Sequence, residues 1–230
     1  GTLQVGGNFT QTGASGGQFA PSVAHLVSFT RSAAGVQTVQ FEDSVNSFFF
    51  DLELNRPITD AVRLLSNVSV KNLANLAGAS VLESATNGAL KVSATGTLRV
   101  HTGAVLRPSR AEFGTLVVDS LENSAVRISP DTLVFLAAGT LPNSPAIAYK
   151  SVRIAADTLI APSALTIPND LVIGGASGQT GTLALGLTSV VSVGGNLRTE
   201  GQGRLKMMFG TASIAATGVI SRMKSKVSLS

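Results

Sequence analysis

The chain has 230 residues, of which 44% are hydrophobic and only 13% charged, with 24 glycines, one tyrosine, and no cysteine or tryptophan. The lack of cysteine excludes a disulfide framework and any thiolate metal site. The formal net charge is +4, and no apolar run approaches the length of a transmembrane helix, so we expect no membrane span. The many Gly, Ser, Thr and Val residues favour short strands and tight turns over helices.

Two short phrases recur along the chain. Gly-Thr-Leu leads into an alternating apolar run at residues 1–5, 96–100, 114–118 and 181–185, and Val-Gly-Gly-Asn occurs at 5–8 and 193–196. Self-similarity of this kind indicates a repeat architecture. Because residue 1 lies inside such a phrase, we expect the chain to be a piece of a longer protein.

Residues 1–55 differ from the remainder, since the apolar runs are longer there and hold most of the aromatic residues. Alternation predicts that Phe48, Phe50, Leu52 and Leu54 share one face of a strand, and that Phe49, Asp51 and Glu53 share the other. This pattern predicts a variant or capping section, which is either a wider coil with an inserted hairpin or a separate packing layer.

Residues 72–86 are open to two interpretations. Leu73, Leu76 and Ala77 would share one face of a short helix, whereas Gly78 and Val81 weaken a helical assignment. We therefore prefer a turn of repeat structure at this point.

Further along, brief apolar-polar-apolar units predict strands of roughly three to five residues. The units are separated by about eight to twenty residues, and the prolines fall between them. Examples are residues 90–92, 98–100, 126–128, 152–154 and 191–193. The pattern predicts an all-β fold, a parallel right-handed β-solenoid (β-helix) of roughly ten coils that forms a single domain over residues 1–230.

The final section, residues 204–230, is basic. It holds Arg204, Lys206, Arg222, Lys224 and Lys226 without any acidic residue. Such a run either meets an anionic partner or is a solvated strand edge whose lysines discourage edge-to-edge pairing, and we favour the solvated edge.

No catalytic, cofactor-binding or metal-binding residue is assigned, and we expect the chain not to be an enzyme. Asp51 and Glu53, two apart on a strand, would share an outward face and be close enough to couple or to hold a cation. We favour a plain solvated face, because carbohydrate sites usually present aromatic platforms. The other close acidic pairs are Glu42 with Asp43 and Asp119 with Glu122. We interpret the two histidines, His25 and His101, as ordinary structural residues.

Three Thr-x-Thr pairs, at residues 10–12, 95–97 and 180–182, raise the possibility of an ice-binding face. Such a face needs threonine pairs in adjacent coils, and these pairs lie about eighty-five residues apart in a repeat of about twenty residues. Scattered threonines in turns are the preferred interpretation.

The Gly-Thr-Leu-x-Val phrase, residues 5–13 and residues 39–54 together resemble the repeat segments of very large exported bacterial β-strand-repeat proteins. The resemblance implies a β-solenoid stalk, an adhesin, or a filament or surface-layer component. It brings no catalytic motif and no cofactor.

These observations lead to a functional hypothesis, an extracellular structural or adhesive module that forms a rod or fibre segment at the bacterial cell surface. Its expected partners are a second copy of the chain, more of the same chain, or a surface glycan, and no nucleic acid. The alternative is a β-helix module that binds or degrades polysaccharide, with Asp51 or Glu53 needed for activity.

Overall fold

The computed structural model describes residues 1–13, 17–31, 34–56, 61–86, 88–101, 103–118, 128–175, 179–207 and 210–222. Over these residues the chain is all-β, with parallel strands stacked as a β-solenoid of about nine turns and no helix. The predicted fold class is therefore confirmed, while its handedness stays a prediction. The chain divides into two compact units, Gly1–Pro130 and Asp131–Ser230. The single domain expected over residues 1–230 stays a prediction.

The first unit is built from two parallel sheets. One sheet runs β1-β3-β5-β7, and its long strand β7 pairs with both β9 and β10. Strand β9 pairs further with β12, and β10 pairs further with β13. The other sheet runs β2-β4-β6-β8-β11. The strands are β1 Thr2–Val5, β2 Phe9–Gln11, β3 Leu26–Phe29, β4 Gln37–Phe41, β5 Phe48–Arg56, β6 Ala61–Leu64, β7 Val68–Gly78, β8 Val81–Ser84, β9 Ala89–Val92, β10 Thr97–Val100, β11 Val105–Arg107, β12 Arg110–Phe113 and β13 Thr115–Val118.

The second unit has three parallel sheets, one for each side of a turn. Their orders are β14-β16-β19-β22-β25, β15-β17-β20-β23 and β18-β21-β24. The strands are β14 Thr132–Phe135, β15 Gly139–Thr140, β16 Ser151–Ile154, β17 Thr158–Ile160, β18 Ala164–Ile167, β19 Leu171–Gly174, β20 Thr182–Leu185, β21 Val190–Val193, β22 Leu197–Glu200, β23 Arg204–Met207, β24 Ser213–Ala216 and β25 Ile220–Arg222.

In-register stacking turns the alternation of each strand into columns that run through successive turns. In the first unit Val27 lies beside Leu52, Leu52 beside Ala74, and Ala74 beside Leu98, and all four are at most 2% exposed. Adjacent parallel strands lie about 4.8 Å apart, so each aliphatic side chain packs directly on the next. Burial of these columns is the main favourable contribution to folding.

The faces predicted for residues 48–54 were partly wrong. The pairing of β5 with β7 shifts register between Phe49 and Asp51, and this irregularity reverses the alternation. Phe49 is consequently buried on the same side as Leu52 and Leu54, while Phe50 is only half-buried. Asp51 and Glu53 remain on the outer face, as predicted.

The inserted hairpin considered for residues 1–55 is not found in the described part of that section, where every strand pair is parallel. The turns there are wide, because Thr2 pairs with Leu26 and Leu26 with Asp51. Aromatic rings fill the extra width. Phe49 makes ring contacts with Phe9, Phe19, Phe29 and Phe41, at centroid separations of 5.0 to 6.4 Å.

The helix considered within residues 72–86 is also not found. β7 extends to Gly78 as a strand, in which Ala74 and Leu76 are fully buried and the residues between and beside them are not. This alternation has a period of two, so in-register pairing on both sides outweighs the local helical spacing.

Candidate functional site

The strongest candidates from the sequence, Asp51 and Glu53, lie on the outer face of β5, and each is tied to a neighbouring turn. Asp51 Oδ1 accepts hydrogen bonds from Asn72 Nδ2 at 2.8 Å and from the Leu73 backbone N–H at 3.1 Å. Glu53 accepts from Ser28 Oγ at 3.0 Å and from Asn75 Nδ2 at 3.4 Å. The two carboxylates therefore link three successive turns, and we call this set the outer acid ladder.

The next acidic pair, Glu42 and Asp43, caps a turn. Asp43 Oδ1 accepts hydrogen bonds from the backbone N–H groups of Val45 and Asn46, and the Asn46 side-chain amide donates to both Asp43 oxygens. These bonds, led by the one from the Asn46 side chain, hold the pKa of Asp43 below its usual value of 3.8. Glu42 Oε2 accepts from the Gly13 N–H at 2.7 Å. The pair formed by Asp119 and Glu122 lies outside the described residues.

The two histidines occupy different surroundings. The His25 ring packs edge-on against Phe19 at 5.5 Å, and both of its ring nitrogens are buried without a hydrogen-bond partner in the described part of the chain. His101 Nε2 lies 2.9 Å from Asn75 Oδ1, so this ring extends the outer acid ladder by one turn. Over the described residues, no group of three or more His, Cys, Asp or Glu side chains is arranged to hold a metal ion.

A second ladder of charges crosses β6, β8 and β11. Glu83 lies between two arginines, with Oε1 at 2.7 Å from Arg63 Nη2 and Oε2 at 2.8 Å from Arg107 Nη2. Partial burial acts to raise the pKa of Glu83, but the hydrogen bonds and positive charges of the two arginines outweigh it, so the pKa lies below the usual 4.5. This ladder also joins three turns.

Of the basic final section, Arg204 and Lys206 lie on β23 with exposed side chains. Lys224 and Lys226 fall outside the described residues. The interpretation of this section as a solvated edge stays a prediction.

Sequence reasoning did not find a polar cleft on the first unit. The cleft has a volume of about 370 Å³ and is lined by Asn67, Thr86, Ala89, Lys91, Ser109, Arg110 and Glu112. These residues come from three successive turns, so no local motif joins them. The register of β7, β9 and β12 explains the shape of the cleft. Arg110 pairs with Ala89, and Val68 pairs with Leu90, which brings Asn67 beside Ala89. The small Ala89 side chain between two long neighbours forms the floor.

The cleft has more positive than negative side chains, and they are not all paired. Arg110 Nε lies 2.8 Å from Glu112 Oε1. Among the described residues, Lys91 has no ion-pair or hydrogen-bond partner for its ammonium group, and the side chains of Asn67 and Thr86 are likewise without partners. The cleft thus carries two cations, one carboxylate and several free hydrogen-bonding groups.

The corner beneath the cleft is held by a small hydrogen-bond network. Ser109 Oγ donates to the Gly88 carbonyl at 2.8 Å, and the Ser109 N–H donates to Ser84 Oγ at 2.8 Å. A Cβ atom on Gly88 would lie 2.5 Å from the Leu64 carbonyl oxygen, so only glycine allows the turns to approach this closely. The network fixes the backbone on which the cleft stands.

None of the described segments forms a helix with the length and apolarity needed to cross a membrane. No protein-family model matches the chain, and comparisons with curated proteins and with solved structures give no match. The repeat fold that the resemblance implied is confirmed by the strand pairing, whereas membership of a family of exported surface proteins stays a prediction.

Proposed function

We propose that this chain is a non-enzymatic structural or adhesive module, a rod or fibre segment displayed outside the bacterial cell. The observation that carries the proposal is the outer acid ladder. Both carboxylates that sequence analysis singled out for chemistry already accept two hydrogen bonds each from adjacent turns. Carboxylates that hydrogen-bond to adjacent turns stabilise the stack, so we assign this face a structural role.

The stacking itself supports a structural role. Each turn contacts mainly the turns before and after it. The free energy of unfolding is therefore close to a sum of contributions from single turns and from the interfaces between them. Charged and polar ladders lie on the outside of the same strands that bury aliphatic columns. Such a module holds its shape without a ligand or cofactor.

We propose that a second copy of the chain, or more of the same chain, covers the two open turns. Leu3 pairs with the buried Val27 but is 42% exposed, and Ile220 pairs with the buried Leu197 but is 67% exposed. These two side chains continue the core columns and have apolar surface still open to water. Covering that surface with another turn would be favourable by about 25 cal/mol per Å² buried.

Electron microscopy and light scattering over a range of concentrations test the proposal. We expect elongated oligomers or fibres that disappear in Ile220→Lys, because a charge would then enter the stacking column. Val190→Lys is the matched control, since Val190 is 48% exposed on the outer face of β21 and should assemble normally. Compact monomers at every concentration would contradict the assembly proposal.

The alternative, a module that degrades polysaccharide, predicts turnover of acidic polysaccharides that is lost in Asp51→Ala and Glu53→Ala. We expect no turnover with the unmodified chain, and instead a lower unfolding temperature in both variants, because each substitution removes bonds between turns. Measurable turnover that these substitutions abolish would replace the structural proposal with an enzymatic one.

A further inference from the structure

The polar cleft on the first unit has features of a ligand site that the structural role does not require. The carboxylates of the outer acid ladder accept hydrogen bonds from adjacent turns, and Glu83 forms ion pairs with Arg63 and Arg107, whereas Lys91 faces the cleft with its ammonium group unpaired among the described residues. A free cation beside unpartnered amide and hydroxyl groups is suited to an anionic ligand that also carries hydroxyls.

The geometry also limits the size of the ligand. A cleft of about 370 Å³ is at the small end of the usual range of ligand sites, about 300–1,000 Å³. It has room for one or two sugar rings. The described residues of the lining include no aromatic side chain, so recognition would depend on hydrogen bonds and charge rather than on ring stacking.

We propose that this cleft binds a uronic acid residue of an acidic polysaccharide. Lys91 pairs with the sugar carboxylate, and Arg110, which meets Glu112 through Nε, adds a second cationic donor. The Asn67 amide and the Thr86 hydroxyl bind the ring hydroxyls. Glu112 is held by Arg110, which offsets its repulsion of the ligand.

This inference rests on the adhesive part of the proposed function and names its ligand. A single cleft without aromatic contacts binds weakly, and repeated copies in a fibre would raise the overall avidity. The preformed corner at Ser84, Gly88 and Ser109 limits the entropy lost when the sugar is ordered.

Calorimetric titration of the full chain with an oligomer of galacturonic acid tests the proposal, together with a neutral galactose oligomer, a sulfated galactose oligomer and an oligoglutamate peptide. We expect binding of the uronate oligomer alone. Losing one charge-assisted contact in Lys91→Met should weaken that binding about tenfold. Ala89→Leu should abolish it by filling the floor.

Lys206→Met is the matched control, because Lys206 is an exposed lysine on β23 in the second unit, and it should bind as the unmodified chain does. Unfolding temperatures of all variants establish that each is folded. Equal binding by Lys91→Met, or binding of the sulfated oligomer or the peptide as tightly as the uronate, would overturn the assignment.

The assembly measurements separate this inference from the proposed function. Fibres without uronate binding would remove the cleft assignment and leave the structural role. Uronate binding by a chain that never assembles would support the cleft assignment and contradict the fibre.

Discussion

Glycine closes corners in both units, and the first unit also has a corner held by a buried amide. In the first unit a Cβ atom on Gly114 would lie 1.9 Å from the Ala94 carbonyl oxygen. In the first unit, Gln11 is 6% exposed and its amide bonds four groups: it donates to the Gly13 and Gly17 carbonyls and accepts from the Asp43 N–H and the Ser47 hydroxyl. The second unit has glycine corners of the same kind. A Cβ atom on Gly181 would lie 1.9 Å from the Ile154 carbonyl oxygen.

The two units also differ in the side chains that fill their cores. The first unit has a cluster of phenylalanine rings in its wide early turns, whereas the second unit stacks mainly aliphatic columns such as Leu159 on Leu183. Phenylalanine rings fill the interior of the early turns, and the Gln11 amide satisfies backbone groups at their corner. A glycine corner brings backbone against backbone and leaves no room for a side chain.

The largest expected effect comes from removing the centre of the ring cluster. Phe49→Ala should lower the free energy of unfolding of the first unit by about 3–5 kcal/mol, because it deletes a buried ring and leaves a cavity. Phe48→Ala is the control, since Phe48 is only half-buried, beside Lys71. Denaturant unfolding measures both, and similar losses would show that the cluster is not the core of these turns.

The second largest expected effect comes from removing the buried amide of Gln11. Gln11→Leu should cost about 2–3 kcal/mol, because the buried Asp43 N–H and Ser47 hydroxyl lose their acceptor. Gln40→Leu changes the same side chain at an exposed position of β4 and should have little effect. If both variants unfold alike, the corner of the first unit does not depend on its amide.

Glycine substitutions examine the second unit. Gly203→Ala should cost about 1–3 kcal/mol through overpacking, since the added Cβ would lie 2.0 Å from the Ile173 carbonyl oxygen. At Gly139 the nearest atom is Leu159 Cδ2 at 3.9 Å, so Gly139→Ala should be tolerated. Hydrogen exchange should place the loss within the second unit; a loss confined to the first unit would break the comparison.

The smallest expected effect on stability comes from lowering the pH, which weakens the Arg63-Glu83-Arg107 ladder. The pKa of Glu83 in the folded chain lies below its ordinary value of 4.5, so its contribution to stability is present above that pH and is lost as the pH falls through the folded pKa. The unfolding temperature should therefore fall below about pH 4.5, and less steeply in Glu83→Gln. Each exposed pair is worth under about 1 kcal/mol. Asp157→Asn, which removes a carboxylate at an exposed bend of the second unit, is the matched control.

Sequence alone was sufficient for the fold class because the relevant signal is local. Alternation of apolar and polar residues over three to five positions predicts a strand with one buried face, and its recurrence with turn residues between predicts stacked turns. The confirmed fold and the outward placement of Asp51 and Glu53 both follow from this pattern. The reversal at Phe49 does not, because a register shift depends on the neighbouring strand as well as on the residue itself.

The roles of individual polar residues were decided by the tertiary structure. Asp51 is a bonding partner of Asn72, and Lys91 faces a cleft floored by Ala89, because stacking brings together residues that are about twenty positions apart in the chain. Turn length sets which residues meet, and it varies from turn to turn with corners that sequence patterns do not specify. The sequence thus determined that the chain stacks, and the register of the stack determined which charges pair and that Lys91 has no ion-pair partner among the described residues.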